Sequence, residues 1–243
     1  MTLNAGLAAA ATLVAVAFSL STWDRWLRRR RPHELAWAIS LALFSIGAGA
    51  LWWAESRGWS NESFKVFFLA GAVLNVPFLA LGSVYLQFGA RVGNRVQLAL
   101  VALGGFAAGV VLVAPARGDI NGHEFPTAKE VFGVAPRVLA AVGSGVPALF
   151  IFGAAVWSAV QLMRRKSPSI NATVQRNVST PKRLAAGNIL IALGTAILSA
   201  SGSLSGRMGK DRSFAITLLA GIVVLFAGFL VSTSAAGRST RRS

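Results

Sequence analysis

The sequence predicts an all-α integral membrane protein, a bundle of seven transmembrane helices with the N-terminus outside and the C-terminus in the cytoplasm. Three observations support this fold class. Charged residues make up only 13% of the 243-residue chain, about half the share in soluble domains. They are absent from seven long windows, and the Lys and Arg residues between those windows are distributed unequally over alternate loops.

The seven windows that lack an ionisable side chain are 20 to 26 residues long, and a helix needs about 20 apolar residues to cross the hydrocarbon core. Only helices or closed barrels satisfy backbone polar groups in lipid, and the windows far exceed the roughly 9–11 residues of a barrel strand. Helices are therefore predicted at about residues 3–23, 35–54, 66–88, 96–114, 138–163, 184–205 and 213–233. Because most connections are short, residues 1–243 are predicted to form a single transmembrane domain.

The first window raises the alternative of a cleaved signal peptide. A secretory signal carries positive charge before its apolar core. Here Asp24 is the first charged residue, and a run of arginines follows the window. We therefore expect a retained first helix whose N-terminus is exported.

The orientation follows from the distribution of Lys and Arg. One set of alternate loops, together with the C-terminal tail, holds 16 of these residues, and the other set holds 8. Because cytoplasmic loops carry an excess of Lys and Arg, the richer set is predicted to face the cytoplasm. Tryptophans near the helix ends fit an interfacial belt. They include Trp23, Trp26, Trp37, Trp52, Trp53, Trp59 and Trp157.

Two basic clusters lie directly beside predicted helix ends on the cytoplasmic side. Such clusters attract anionic lipid headgroups, at about 1 kcal/mol for each charge near the surface. The alternative is that they only enforce the topology. The predicted contacts are Arg28, Arg29, Arg30, Arg31, Arg164, Arg165 and Lys166.

The two longest loops differ in character. Residues 117–137 are predicted to be external and rich in turn residues, with one or two helical turns within residues 126–132. The adjacent His123 and Glu124 are not expected to hold a metal, because a site needs at least three converging ligands. Residues 164–183 are predicted to be cytoplasmic and are basic and polar.

The same windows argue against most chemistry. Buried carboxylates or histidines mark proton relays and many membrane sites, and no window holds one. The chain has no cysteine, and no G-x-S-x-G, HExxH or P-loop pattern is present. We therefore predict no enzymatic activity, no cofactor and no metal. Nucleic-acid binding is not expected, because the positive charge is spread over separate loops.

Small and polar residues remain as the signal within the helices. They form stripes on the third, fifth and sixth helices, and Gly105 and Gly109 of the fourth form a close-packing pattern. The stripes either pack helices through interhelical hydrogen bonds or line a narrow polar path, with Pro77 and Pro147 as kinks that free carbonyl groups. The polar residues concerned are Asn75, Ser158, Asn188, Thr195 and Ser199.

From these observations we expect an assembly or accessory component of a plasma-membrane system, with the lipid bilayer and a membrane-protein partner as its contacts. The alternative is a facilitative channel or carrier for a small neutral or lipid-like substrate, with its path between helices 3, 5 and 6. Arg outnumbers Lys, and Ala, Gly and Val are abundant, which suggests a bacterial source.

Overall fold

The computed structural model describes residues 3–115, 120, 125–164, 186, 189–198 and 210–236, and all regular elements among them are helical. A π-helical segment, Phe68–Leu74, joins the third and fourth α-helices without a break. The α-helices are α1 Leu3–Arg29, α2 Pro32–Arg57, α3 Asn61–Phe67, α4 Asn75–Val113, α5 Ala128–Val131, α6 Val134–Arg164, α7 Ile189–Leu198 and α8 Lys210–Ala236.

Four stretches within the described residues are long and apolar enough to cross a membrane. Their bounds cover the first, second and third predicted helices in full, the fourth up to Val113 and the fifth up to Ala154. The sixth prediction, residues 184–205, is described only for α7 and residue 186. An all-helical chain with several such helices is compatible with a membrane bundle. The four stretches are Leu3–Arg29, Pro32–Arg57, Asn61–Val113 and Val134–Ala154.

The stretch Asn61–Val113 folds back on itself at Gly89. This residue has φ 77° and ψ 178°, a conformation that only glycine adopts without strain. The Lys65 ammonium group donates to the Leu112 carbonyl oxygen at 2.7 Å, although 47 residues separate them. The Leu74 side chain lies against Gly104. Both pairs are centred on residue 89, so α4 consists of two antiparallel arms, residues 75–88 and 90–113.

Tyr85 holds the two arms together beside this turn. Its ring lies over Gly93, where any side chain would collide with it. Its hydroxyl is hydrogen-bonded to the side-chain amides of Asn94, at 2.9 Å, and Gln97. The sequence predicts an interruption over residues 89–95, but the structure confines it to Gly89, because one residue with positive φ reverses the chain.

The turns of the bundle segregate to two ends. Ala36, near the start of α2, packs with Leu81 and Tyr85. The α1–α2 turn and the Gly89 turn therefore lie at the same end, which we call the arginine end because residues 28–31 are all arginine. The loops between α2 and α3 and before α6 lie at the opposite end.

That opposite end is closed by an aromatic cluster. Trp59 is 6% exposed, and its ring centroid lies 5.1 Å from Phe125 and 5.9 Å from Phe64. Phe132 follows α5 and lies 4.9 Å from Phe68. Trp59 therefore belongs to the core, because Phe125, which precedes α5, packs edge-on against its ring.

The core itself lies along α1 and α2, which form an antiparallel pair. α1 contributes a buried stripe of alanines, which allows close packing. α8 packs on α1, with the rings of Phe18 and Phe226 at 4.6 Å. α7 packs on α8 at Gly194, where a Cβ atom would lie 2.6 Å from the Leu225 nitrogen.

Candidate functional site

The most irregular part of the described helices is the junction of Phe68–Leu74 with α4. The Asn75 N–H donates to the Ala70 carbonyl oxygen, five residues back, as in a π-helix. Two residues later, Pro77 has no N–H, so the Val73 carbonyl oxygen, four residues back, receives no bond from it. Short π segments within α-helices often mark functional sites. We therefore treat this junction as the candidate site.

A buried hydroxyl on α2 holds the junction. The Ser40 hydroxyl lies 2.7 Å from the Asn75 side-chain oxygen and 3.0 Å from its backbone carbonyl oxygen. Ser40 is 1% exposed. Because the hydroxyl has a single proton, it is shared between the two oxygens or donated to one of them at a time. Ser40 thus ties α2 to the point at which the π-helical segment becomes α-helical.

Two glycines allow other backbones to approach the same segment. A Cβ atom on Gly47 of α2 would lie 3.2 Å from both the Cα and the nitrogen of Gly71. On the other side, a Cβ atom on Gly143 of α6 would lie 3.3 Å from the Val73 carbonyl oxygen. The carbonyl that Pro77 leaves without its usual partner therefore faces the Gly143 backbone of α6. The π-helical segment is held between α2 and α6 at close range.

Trp37 extends this contact toward the arginine end. Its indole N–H donates to the Leu79 carbonyl oxygen at 3.2 Å. Its ring covers Gly82, where a side chain would collide with the indole. The first arm of α4 is therefore bonded to α2 at two levels, through Ser40 and through Trp37.

The polar residues predicted from the sequence have different hydrogen-bond partners in the structure. Asn75 accepts from Ser40 of α2, whereas Thr195 is 2% exposed and donates to Ile191 of its own helix at 2.8 Å. Ser158 lies in α6, but its side chain is outside the described residues, as are Asn188 and Ser199 altogether. Within the described part of the chain, no hydrogen bond joins two members of the predicted set.

The two predicted prolines both lie inside helices. Pro147 is in the middle of α6. Pro77 lies three positions after Leu74, where the π-helical segment ends. The π-helical segment ends just before Pro77, whereas the helix around Pro147 is α-helical on both sides.

Sequence reasoning missed Ser40, Gly47 and Gly194. A lone serine among apolar residues gives no periodic signal, and a lone glycine on a membrane helix is common. A search for glycines at matched depth on adjacent helices would have found Gly47 and Gly71.

The arginines of the α1–α2 turn are placed in unequal surroundings. Arg28 pairs with Asp24 at 2.8 Å, and both side chains are exposed. The Arg30 guanidinium lies 4.9 Å from the centre of the Trp26 ring. Glu34 is 5% exposed, close to Arg25.

Of the other predicted lipid contacts, Arg29 and Arg31 are exposed. The side chain of Arg164 and all of Arg165 and Lys166 lie outside the described residues.

The described residues contain no group of three or more His, Cys, Asp and Glu side chains that could hold a metal ion. The candidate site consists of the Ser40 hydroxyl, the Asn75 amide and the Val73 carbonyl oxygen, all on buried or half-buried residues. The four long apolar helices indicate a multi-pass helical membrane protein. No protein-family model, curated protein or solved structure matches the chain.

Proposed function

We propose that the protein is an assembly component of a bacterial plasma-membrane system, with seven transmembrane helices, the N-terminus outside and the arginine end in the cytoplasm. The excess of Lys and Arg in alternate loops supports this orientation. The grouping of the α1–α2 turn with the Gly89 turn is consistent with it, since both belong to the set richer in Lys and Arg.

The observation that carries the proposal is the outer face of the second arm of α4. Gly105 and Gly109 are exposed, and among the described residues nothing lies within 4 Å of a Cβ atom built on either. The flanking Leu98 is 74% exposed, and Phe106 is 62% exposed. The inner face, by contrast, contacts Leu74 of the π-helical segment at Gly104. Small residues at this spacing let a second helix approach closely, so we assign this face to a partner helix.

The surroundings of the polar residues favour packing over transport. Asn75 is bonded to Ser40 across two helices, and Thr195 to its own backbone. The first bond is a helix–helix contact of the kind that packs membrane helices, and the second satisfies Thr195 within its own helix. A path for a polar substrate needs such groups to face an open space instead.

A comparison of two variants tests the assembly proposal. Gly105→Leu places a large side chain on the proposed contact face. Gly153→Leu is the matched control, because Gly153 is also exposed, with open space at its Cβ position on α6. After purification in a mild detergent, we expect the unmodified protein and Gly153→Leu to retain a stoichiometric partner or second copy, and Gly105→Leu to lose it. A monomer in all three samples contradicts the proposal.

The second candidate is a facilitative channel or carrier for a small neutral or lipid-like substrate, with its path between the third, fifth and sixth helices. The π-helical segment and the Val73 carbonyl favour it, since irregular backbone is the usual lining of transporter sites. Replacing Asn75 and Asn188 with Leu distinguishes the two functions. If these residues line a path, the variant loses substrate flux while the protein stays folded. A packing role predicts lower thermal stability with no loss of transport.

A further inference from the structure

A groove runs between α1 and α2 on the outside of the bundle, near the arginine end. Its volume is about 310 Å³, and its lining is almost entirely apolar. Among the described side chains that line it, those of Trp23 and Ser19 carry polar groups, and the Ser19 hydroxyl already donates to the Ala38 carbonyl oxygen at 3.0 Å. The lining residues are Ser19, Leu20, Trp23, Ala38, Ile39, Ala42, Leu43 and Ile46.

The length of the groove matches one leaflet. From Ala38 to Ile46 of α2 it extends about 12 Å at 1.5 Å per residue. One leaflet of the hydrocarbon core is about 15 Å thick, half of the whole. On α1 the groove ends at Trp23, one residue before the first charged side chain. It therefore begins at the interface and ends near the middle of the bilayer.

Cationic groups lie just beyond the interfacial end of the groove. The Arg30 N–H donates to the Trp26 carbonyl oxygen at 2.7 Å, and the positive φ of Arg30, 52°, ends the helical path of α1 at this residue. The Arg30 guanidinium lies over the Trp26 ring. The centroid of that ring lies 5.0 Å from the centroid of the Trp23 ring. Arg31 precedes α2 and is exposed. Both arginines thus lie in the turn that closes this end of the groove.

Arg28 provides a contrast within the same turn. It lies about 140° around the helix axis from Trp23, at about 100° per residue. Its guanidinium is paired with Asp24. Removing its charge alters the net charge of the protein as much as removing that of Arg30, but leaves the end of the groove intact.

We propose that this groove binds an anionic phospholipid of the adjacent leaflet, with one acyl chain along α1 and α2 and the phosphate at Arg30 and Arg31. The lining favours a lipid over a partner helix. It presents large aliphatic side chains such as Leu20, Ile39 and Leu43, whereas close helix contacts use small residues. The two arginines attract a headgroup with net negative charge more strongly than a zwitterionic headgroup.

Quenching of tryptophan fluorescence by brominated acyl chains tests the proposal, because Trp23 lines the groove. The full chain is reconstituted in phosphatidylcholine vesicles that contain a small fraction of brominated phosphatidylglycerol or brominated phosphatidylcholine. The difference between the unmodified protein and Trp23→Phe isolates the signal from Trp23. We expect stronger quenching by the brominated phosphatidylglycerol at equal concentration.

Three further variants locate the binding. Arg30→Gln is expected to lower the relative affinity for phosphatidylglycerol about fivefold, the effect of one positive charge near the surface, whereas Arg28→Gln leaves it within twofold. Ala42→Phe fills the groove and is expected to reduce quenching by both brominated lipids.

Three outcomes overturn the proposal. Equal quenching by the two lipids removes the headgroup preference. Equal losses in Arg28→Gln and Arg30→Gln leave only general attraction to a charged surface. If Trp23 is not quenched and the protein purifies as a dimer, the groove is covered by a partner helix and not by a lipid.

Discussion

The bond between Ser40 and Asn75 gives the sharpest prediction about stability. Ser40→Ala removes a hydroxyl that is 1% exposed and lies 2.7 and 3.0 Å from two oxygens of Asn75. Interhelical hydrogen bonds in membrane proteins contribute about 0.6 kcal/mol on average and up to about 1.7. Because the lost donor served two acceptors at the junction of the π-helical segment and α4, we expect a loss of about 1 kcal/mol in the free energy of unfolding.

A double-mutant cycle with Asn75→Ala isolates the side-chain contact. The variant removes the Asn75 side-chain oxygen but leaves the backbone carbonyl, so the coupling energy reports only the shorter of the two contacts. We expect a coupling of about 0.6 kcal/mol. The assay is equilibrium unfolding of the purified protein in mixed detergent micelles, with helical circular dichroism as the signal.

Ser45→Ala is the matched control. Its hydroxyl is also buried on α2, 8% exposed, but it donates to the Leu41 carbonyl oxygen of its own helix at 2.7 Å. That bond joins no second helix, so its loss leaves the contact between α2 and α4 intact. We expect a smaller effect and no coupling to Asn75. A coupling of zero between Ser40 and Asn75, or an equal loss in Ser45→Ala, refutes the interpretation of Asn75 as a packing residue.

Three further substitutions, two of them paired with a control variant, test other parts of the fold in the same unfolding assay. Gly47→Ala places a methyl group 3.2 Å from the backbone of the π-helical segment and should cost about 1–3 kcal/mol. Gly153→Ala, with open space at its Cβ position, should be nearly neutral, and equal effects of the two would contradict the close approach. Gly89→Ala forces an alanine to φ 77° and should cost about 1–3 kcal/mol; an unchanged stability would mean that the chain does not reverse there. Trp59→Ala empties the aromatic cluster and should cost about 3–5 kcal/mol, while Trp157→Ala, 66% exposed, should change stability by less than 1 kcal/mol; a similar loss in both would contradict the buried cluster.

The helical class and the approximate helix positions were predictable from the sequence, because charges are excluded from the hydrocarbon core and their absence marks each window. The ends of the helices were less predictable from the sequence. α1 continues to Arg29 and α2 to Arg57, since a helix gains its backbone bonds whether or not lipid surrounds it. Arg91 and Arg95 separate the third and fourth charge-free windows, so the sequence predicted a loop over residues 89–95. The structure confines the turn to Gly89, because a charged residue indicates exposure and not chain reversal.

The candidate site was predictable only in part. Asn75 and Pro77 were identified by residue type and by their position within the third charge-free window. Depth along a helix does not determine which neighbour a side chain faces, and Asn75 faces Ser40 on α2. The π-helical segment has no sequence signal beyond Pro77. The close pair of Gly47 and Gly71 depends on the register of two helices, which a single sequence does not contain.

The central claim is a multi-pass bundle whose arginine end faces the cytoplasm, and single-cysteine labelling tests it most directly. The chain contains no cysteine, so each introduced thiol is unique. Pro32 and Gln87 are exposed at the arginine end, and Asn61 is exposed at the opposite end. With a membrane-impermeant thiol reagent on intact cells, we expect Asn61→Cys to be labelled, and Pro32→Cys and Gln87→Cys to be labelled only after the membrane is opened. Labelling of all three in intact cells, or the reverse pattern, would contradict the account.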